Sequence, residues 1–201
     1  MILAVIDYGA GNLTSVVKGL TTTGATVRVV ADPSELGEAG AIVVPGVGHF
    51  AATRTLDDRW HQTIHERVAA GVPFLGICLG LQWLFEGSDE APAARGLGLF
   101  SGRCFRLPDD VKVPHVGWNT FDTGGREFRL LGGLTAGAMT YFTHSFAAPA
   151  VPEAAVTTHG APFASAVERG HVFGTQFHPE KSGAAGLRIL ANFVAFASGA
   201  R

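Results

Sequence analysis

The chain opens on an apolar run of β type, residues 2–7, that ends at Gly9-Ala10-Gly11. Asn12 can cap a helix in which Leu13, Val16, Val17 and Leu20 recur at helical spacing until Gly24 stops it. Residues 26–31 and 41–44 read as second and third strands, the latter ending in Pro45-Gly46-Val47-Gly48. A second helix carries Leu56, Trp60, Ile64 and Val68 on one face, with Gly71 as its stop. Residues 73–77 form a fourth strand that is apolar throughout, as expected of a parallel strand covered on both faces. That strand runs straight into Cys78 and a short helix over 79–85.

Strand and helix alternate up to this point, the pattern of a parallel sheet wound on both sides. From residue 97 to 177 the character changes to short β-like segments separated by Gly, Pro, Asp and Thr, which predicts an antiparallel extension. Ser182 then opens a last helix with Leu187, Leu190, Phe193 and Val194 expected to face inward. The expectation is a single α/β domain over residues 1–201, with a mostly parallel, doubly wound sheet.

Composition narrows the function classes. With 47% hydrophobic and 16% charged residues, 201 positions suffice for one well-buried core and exclude a disordered chain. A formal net charge of -2 gives no reason to expect nucleic acid or an anionic membrane as partner. The longest apolar runs are too short to span a bilayer, and the start of the chain reads as a strand and not as an export signal. Two cysteines, Cys78 and Cys104, do not make a disulfide framework, so a reducing cytoplasmic setting is expected.

Open α/β sheets bind ligands at the carboxyl ends of their strands, and three segments there carry candidate chemistry. In Gly76-Ile77-Cys78-Leu79-Gly80 a buried strand ends, one reactive residue sits in the turn and a helix begins. Flanking glycines permit a sharp turn, and a helix N-terminus favours the thiolate, the nucleophilic form. Buried packing is the plainer role for an isolated Cys, but glycine on both sides is wasteful for packing. Cys104 lacks that setting and reads as structural. His178-Pro179-Glu180 supplies a base, with a carboxylate two residues on to fix its tautomer. Alone it is an ordinary turn; beside the elbow it completes a Cys-His-Glu triad. At Pro45-Gly46-Val47-Gly48 free backbone N–H groups, with that of Leu79, can make an oxyanion hole, and a simple tight turn accounts for it equally well.

Other patterns carry less. Gly9-Ala10-Gly11 followed by Asp32 imitates a dinucleotide fingerprint, but Thr14 stands where the third glycine belongs. His61 and His65 have metal-ligand spacing on a helix, yet Gln62 replaces the expected acid and no third ligand stands out, so a solvated helix face is the better reading. No metal and no cofactor is expected. His144-Ser145 can line the pocket, although a hydrogen-bonded core histidine fits His144 as well.

Taken together, Gly76-Ile77-Cys78-Leu79-Gly80-Leu81-Gln82 and Gln176-Phe177-His178-Pro179-Glu180 resemble the nucleophile and His/Glu motifs of the class I glutamine amidotransferases. Asp7 to Leu13, Pro45 to Gly48, Pro114 to Asn119, Tyr141 to Ser145 and Lys181-Ser182 resemble, within that family, the glutaminase subunits that serve histidine biosynthesis. The resemblance spans essentially the whole chain. It implies that Cys78 attacks the side-chain amide of L-glutamine, His178 passes the proton to departing ammonia, and Glu180 orients His178. It further implies oxyanion donors at Gly48 and Leu79, after a backbone flip near Val47, and a glutamine site drawn from Gly46, Val47, Gln82, Glu90, His144 and Ser145. The implied partner is a cyclase subunit with a (β/α)8 barrel, forming a heterodimer through Asn12, Trp118 and Lys181 and receiving the ammonia. Phe146 departs from the tyrosine common in relatives after the His-Ser pair. The competing readings are a glutaminase feeding another synthetase and a non-catalytic module that kept the fold.

Overall fold

The computed structural model describes residues 1–135 and 137–199. In chain order its elements are β1 (Ile2–Ile6), α1 (Leu13–Thr22), β2 (Thr26–Val30), β3 (Ala41–Val44), α2 (Asp58–Ala69), β4 (Phe74–Ile77) and α3 (Leu79–Trp83). There follow β5 (Gly87–Ser88), β6 (Arg103–Arg106), β7 (His115–Asn119), β8 (Thr140–His144), β9 (Phe146–Ala147), β10 (Ala154–His159), β11 (Ala161–Arg169), β12 (Val172–Thr175) and α4 (Gly183–Ala197).

Seven strands form the main sheet in the order β10-β11-β12-β4-β3-β1-β2. Parallel pairing joins β12, β4, β3, β1 and β2, while β10 and β11 add antiparallel strands at one edge. The fold is therefore single-domain α/β with a mostly parallel sheet and an antiparallel extension. Small sheets β5-β6-β9 and β7-β8 stand beside it.

Every residue of β3 and β4 is buried because helices cover both faces. Trp60, Ile64, Leu81 and Trp83 pack on one face; Val16, Leu20, Ile189, Leu190 and Phe193 pack on the other. β3, β4 and β12 are adjacent and parallel, so their carboxyl ends share one rim of the sheet. Pro45-Gly46-Val47-Gly48, Cys78 and His178 follow those three strands. No helix among the described residues is long and apolar enough to cross a membrane.

Three expectations need correction. Leu187 is 40% exposed, and Ile189 takes the inward position of α4 instead. His61 is buried and sits edge-on to Trp83 at 5.2 Å, so only His65 lies on the solvated face of α2. Residues 50–55 form a separate 3-10 turn, Phe50–Thr55, because Asp57 caps α2 through Trp60 N–H at 3.1 Å; Leu56 thus precedes the helix.

Candidate functional site

Cys78 sits between β4 and α3 with φ 54 and ψ −103, the one non-glycine residue with positive φ among those described. An L residue held there is strained, and the turn is fixed from both sides. The Cys78 N–H donates to the Thr175 carbonyl at 2.6 Å, and the Cys78 carbonyl accepts from Gln82 N–H at 3.0 Å. The two flanking glycines serve close approach. A Cβ on Gly80 would lie 1.9 Å from the Val44 carbonyl oxygen, and one on Gly76 2.4 Å from the Gly80 carbonyl oxygen. Cys78 is 5% exposed and forms part of a cavity wall. Cys104 is buried in the small sheet and its thiol is pushed up by desolvation.

His178 lies three residues beyond the end of β12. Its Nδ1 lies 2.8 Å from Glu180 Oε1, with both side chains 1% exposed. The short 3-10 turn Pro179–Lys181 bends the carboxylate back under the ring. Ser182 clamps this turn: its hydroxyl donates to the His178 carbonyl at 2.7 Å and accepts from Tyr141 N–H at 2.9 Å. Ser182 also opens α4 as expected, as the residue before Gly183, with its carbonyl accepting from Gly186 N–H at 3.1 Å, but its side chain is spent on this turn and not on capping the helix.

The other ring nitrogen of His178, Nε2, is buried without a hydrogen-bond partner. Cys78 lies close enough for its charge to act on the ring, without a hydrogen bond of normal geometry to Nε2. Burial pulls the His178 pKa down, and a thiolate on Cys78 together with the Glu180 carboxylate outweighs it, raising the value to about 10. Such hydrogen bonds commonly tighten only when substrate is bound.

The cavity in front of Cys78 has a volume of about 250 Å³, below the range usual for drug-sized ligands. Gly48, Leu79, Gln82, Glu90, His144 and Ser145 all contribute to its wall. Glu90 Oε2 accepts from Phe50 N–H at 2.7 Å. Gln82 Nε2 donates to the Phe146 carbonyl at 2.7 Å. His144 Nδ1 lies 3.0 Å from that same oxygen and its Nε2 lies 3.2 Å from His115 Nδ1. Since the Phe146 oxygen only accepts, the proton of neutral His144 is on Nδ1. Desolvation, then neighbouring histidines, push His144 down to about 3, so it is neutral in ordinary buffers. Phe146 thus meets the cavity through its backbone carbonyl, and the absence of a tyrosine hydroxyl leaves that contact intact.

Gly46 and Val47, expected in the glutamine site, are not among the cavity walls. The reason is one hydrogen bond: Leu79 N–H donates to the Gly46 carbonyl at 3.3 Å, which holds the loop against α3 and occupies an expected oxyanion donor. Asn12, Trp118 and Lys181 lie away from the cavity. Asn12 caps α1 through Ser15 N–H at 3.3 Å, Trp118 is 51% exposed, and Lys181 is exposed at the turn after His178. Two contributors were missed in the sequence: Ser182, and Gln176, whose Nε2 donates to Cys78 Sγ at 3.6 Å. The sequence signal for Gln176 was its place at the head of the Gln176-Phe177-His178-Pro179-Glu180 motif, just after β12. Among the described residues no three His, Cys, Asp or Glu side chains gather as a metal site.

Residues 4–196 match the family model for glutamine amidotransferase class-I. The chain is 46% identical over 195 residues to the imidazole glycerol phosphate synthase subunit HisH of Deinococcus radiodurans, covering 94% of this chain and 90% of that protein. It is 43% identical over 203 residues to the subunit of the same name from Methanopyrus kandleri, covering 98% and 100%. Among solved structures, the backbone resembles PurLQS from Thermotoga maritima with a TM-score of 0.75 at 18% identity, over 97% of this chain and 98% of that one. A crystal structure described as a glutamine amidotransferase gives 0.74 at 18% identity, with the same coverage.

Proposed function

Because the chain belongs to the class-I glutamine amidotransferase family, we propose that it is the glutaminase subunit of an imidazole glycerol phosphate synthase, working in histidine biosynthesis. The observation that carries this reading is the strained, buried Cys78 beside a histidine whose far nitrogen is held by a buried carboxylate.

In this reading Cys78 Sγ attacks the side-chain amide carbon of L-glutamine. The imidazolium of His178 gives its Nε2 proton to the departing ammonia, and a thioester remains. Neutral His178 then takes a proton from water, whose oxygen attacks the thioester, and glutamate leaves as Cys78 regains its thiolate. Glu180 holds the ring through Nδ1 and offsets its positive charge. Gln82, Glu90, His144 and Ser145 surround the substrate, Gln82 offering its carbonyl oxygen to the glutamine ammonium.

The oxyanion needs N–H groups that point at the reacting carbon. Leu79 N–H can serve only when the Gly46 carbonyl turns away, so the segment from Pro45 to Gly48 has to rearrange, bringing Gly46, Val47 and Gly48 to the substrate. A resting enzyme that lacks its oxyanion hole is slow, and a partner that favours the rearranged loop speeds it. The partner proposed is a (β/α)8-barrel cyclase in a heterodimer, meeting Asn12, Trp118 and Lys181 and receiving ammonia without its release to water. The setting proposed is cytoplasmic, with no nucleic acid, membrane, metal or cofactor involved.

Isotope-labelled glutamine tests the transfer. The complex is given glutamine labelled at its side-chain nitrogen, with unlabelled ammonium in excess. Product that keeps the label supports direct transfer to the cyclase; label diluted to the level of the bulk ammonium refutes it.

A further inference from the structure

Gln176 is fully buried, and its side-chain amide lies between two groups of fixed character. Its Nε2 faces Cys78 Sγ at 3.6 Å, and its Oε1 accepts from Gln82 Nε2 at 3.2 Å. The orientation of both amides follows from one backbone oxygen. The Phe146 carbonyl can only accept, so the end of Gln82 that meets it at 2.7 Å is the NH2 end. That NH2 group also faces Gln176, so the Gln176 atom opposite it is the oxygen. Its nitrogen is therefore turned to the sulfur. Reversing Gln176 would set two NH2 groups against each other in a buried space and put an oxygen lone pair against a thiolate.

We propose that Gln176 is a further catalytic residue: its Nε2–H donates to Cys78 Sγ and holds the thiolate in place, with Gln82 as the positioning residue that fixes its direction. The proposal rests on Cys78 being the nucleophile. His178 and Gln176 then divide the sulfur between them, the imidazolium moving a proton and the amide only donating a hydrogen bond. Gln82 acquires two duties: its NH2 group orients Gln176 while its carbonyl oxygen stays available to the cavity. A charge-assisted donor of this kind outweighs a neutral one, so its loss is visible in thiolate chemistry.

The test is the rate at which iodoacetamide alkylates Cys78 at neutral pH, followed by mass spectrometry of the peptide that carries it, in the intact chain. Gln176→Met removes the donor, and Gln176→Glu keeps the oxygen for Gln82 but sets oxygen against sulfur. Alkylation about tenfold slower or more is expected in both, with the larger loss for Gln176→Glu. Cys104, fully buried with its sulfur 3.7 Å from the Gln82 carbonyl, is the internal control for the fold around the site: it stays unmodified while the chain is folded. A rate within twofold of the natural chain, with Cys104 silent, overturns the proposal. Should either change expose Cys104, Gln82→Leu decides, because it leaves Gln176 in place but free to turn: tenfold slowing upholds the proposal and an unchanged rate overturns it. Cys78→Ala tells the two readings apart. If Cys78→Ala retains glutamine hydrolysis, the nucleophile itself is wrong; if it abolishes hydrolysis while the Gln176 variants alkylate normally, only the role of Gln176 falls.

Discussion

Glu180 holds one ring nitrogen of His178 and leaves the other to the thiol. Glu180→Gln keeps the size but removes the charge that stabilises the imidazolium. It should cut kcat by about 10²-fold or more while KM stays near its original value. A kcat within threefold of the original would contradict the orienting role. The raised pKa of His178 gives a second prediction. Its largest upward cause is the Cys78 thiolate, working against burial, so in Cys78→Ser the His178 ring should titrate well below about 10. Ring signals followed by NMR across pH check this, and an unmoved midpoint would show that the two side chains do not interact. Cys78 was legible in the sequence because glycines two residues to either side mark the tight strand-to-helix turn that holds it. Gln176 and Ser182 were not legible, since what they do depends on partners far away in the chain, Cys78 and Tyr141, and not on any local pattern.

The turn from β4 into α3 is the element on which the site depends. Gly80→Ala would drive a methyl group into the Val44 carbonyl, which is backbone and cannot turn aside. The expected cost is about 3 kcal/mol or more, read from urea unfolding, with loss of activity in whatever folds. A cost under about 1 kcal/mol would mean that α3 does not lie as close to β3 as described. The strands of the first half were readable because both-face burial makes β3 and β4 uniformly apolar. Element ends were less so. Leu56 fits the periodicity of α2, but the Asp57 cap starts the helix after it, and Leu187 fits that of α4 yet faces water. Periodicity shows that an apolar face exists; caps and tertiary neighbours decide which of its members are covered.

At the scale of the molecule, two cores on opposite faces of one sheet bring the ends of β3, β4 and β12 to a common rim. His61, His115 and His144 are buried within this assembly and are pushed to about 4, about 4 and about 3, with desolvation the first cause in each. The unfolded chain takes up these protons near the ordinary histidine value while the folded chain does not. Stability should therefore fall as pH drops from about 6.5 toward 4. Urea midpoints across that range check it, and His61→Phe should show a shallower fall than the natural chain. Trp118 is half exposed on the two-stranded β7-β8 sheet and touches Tyr141 only edge-on at 6.0 Å. Trp118→Ala should change stability by no more than about 0.5 kcal/mol. If this small sheet meets the cyclase, the same change should weaken association by about 2 kcal/mol, as calorimetry would read. An interface is the feature that a single chain shows least, because the residues that form it are ordinary exposed residues until the partner is present.

The most direct test is glutamate release from L-glutamine by the chain alone, with the cyclase subunit and its bound ligand, and with Cys78→Ala in place of the natural chain. Slow release alone, strong activation in the complex, and none from Cys78→Ala in either state are the expected results. Equal rates with and without the cyclase would contradict the partner-gated reading, and full activity in Cys78→Ala would contradict the mechanism itself.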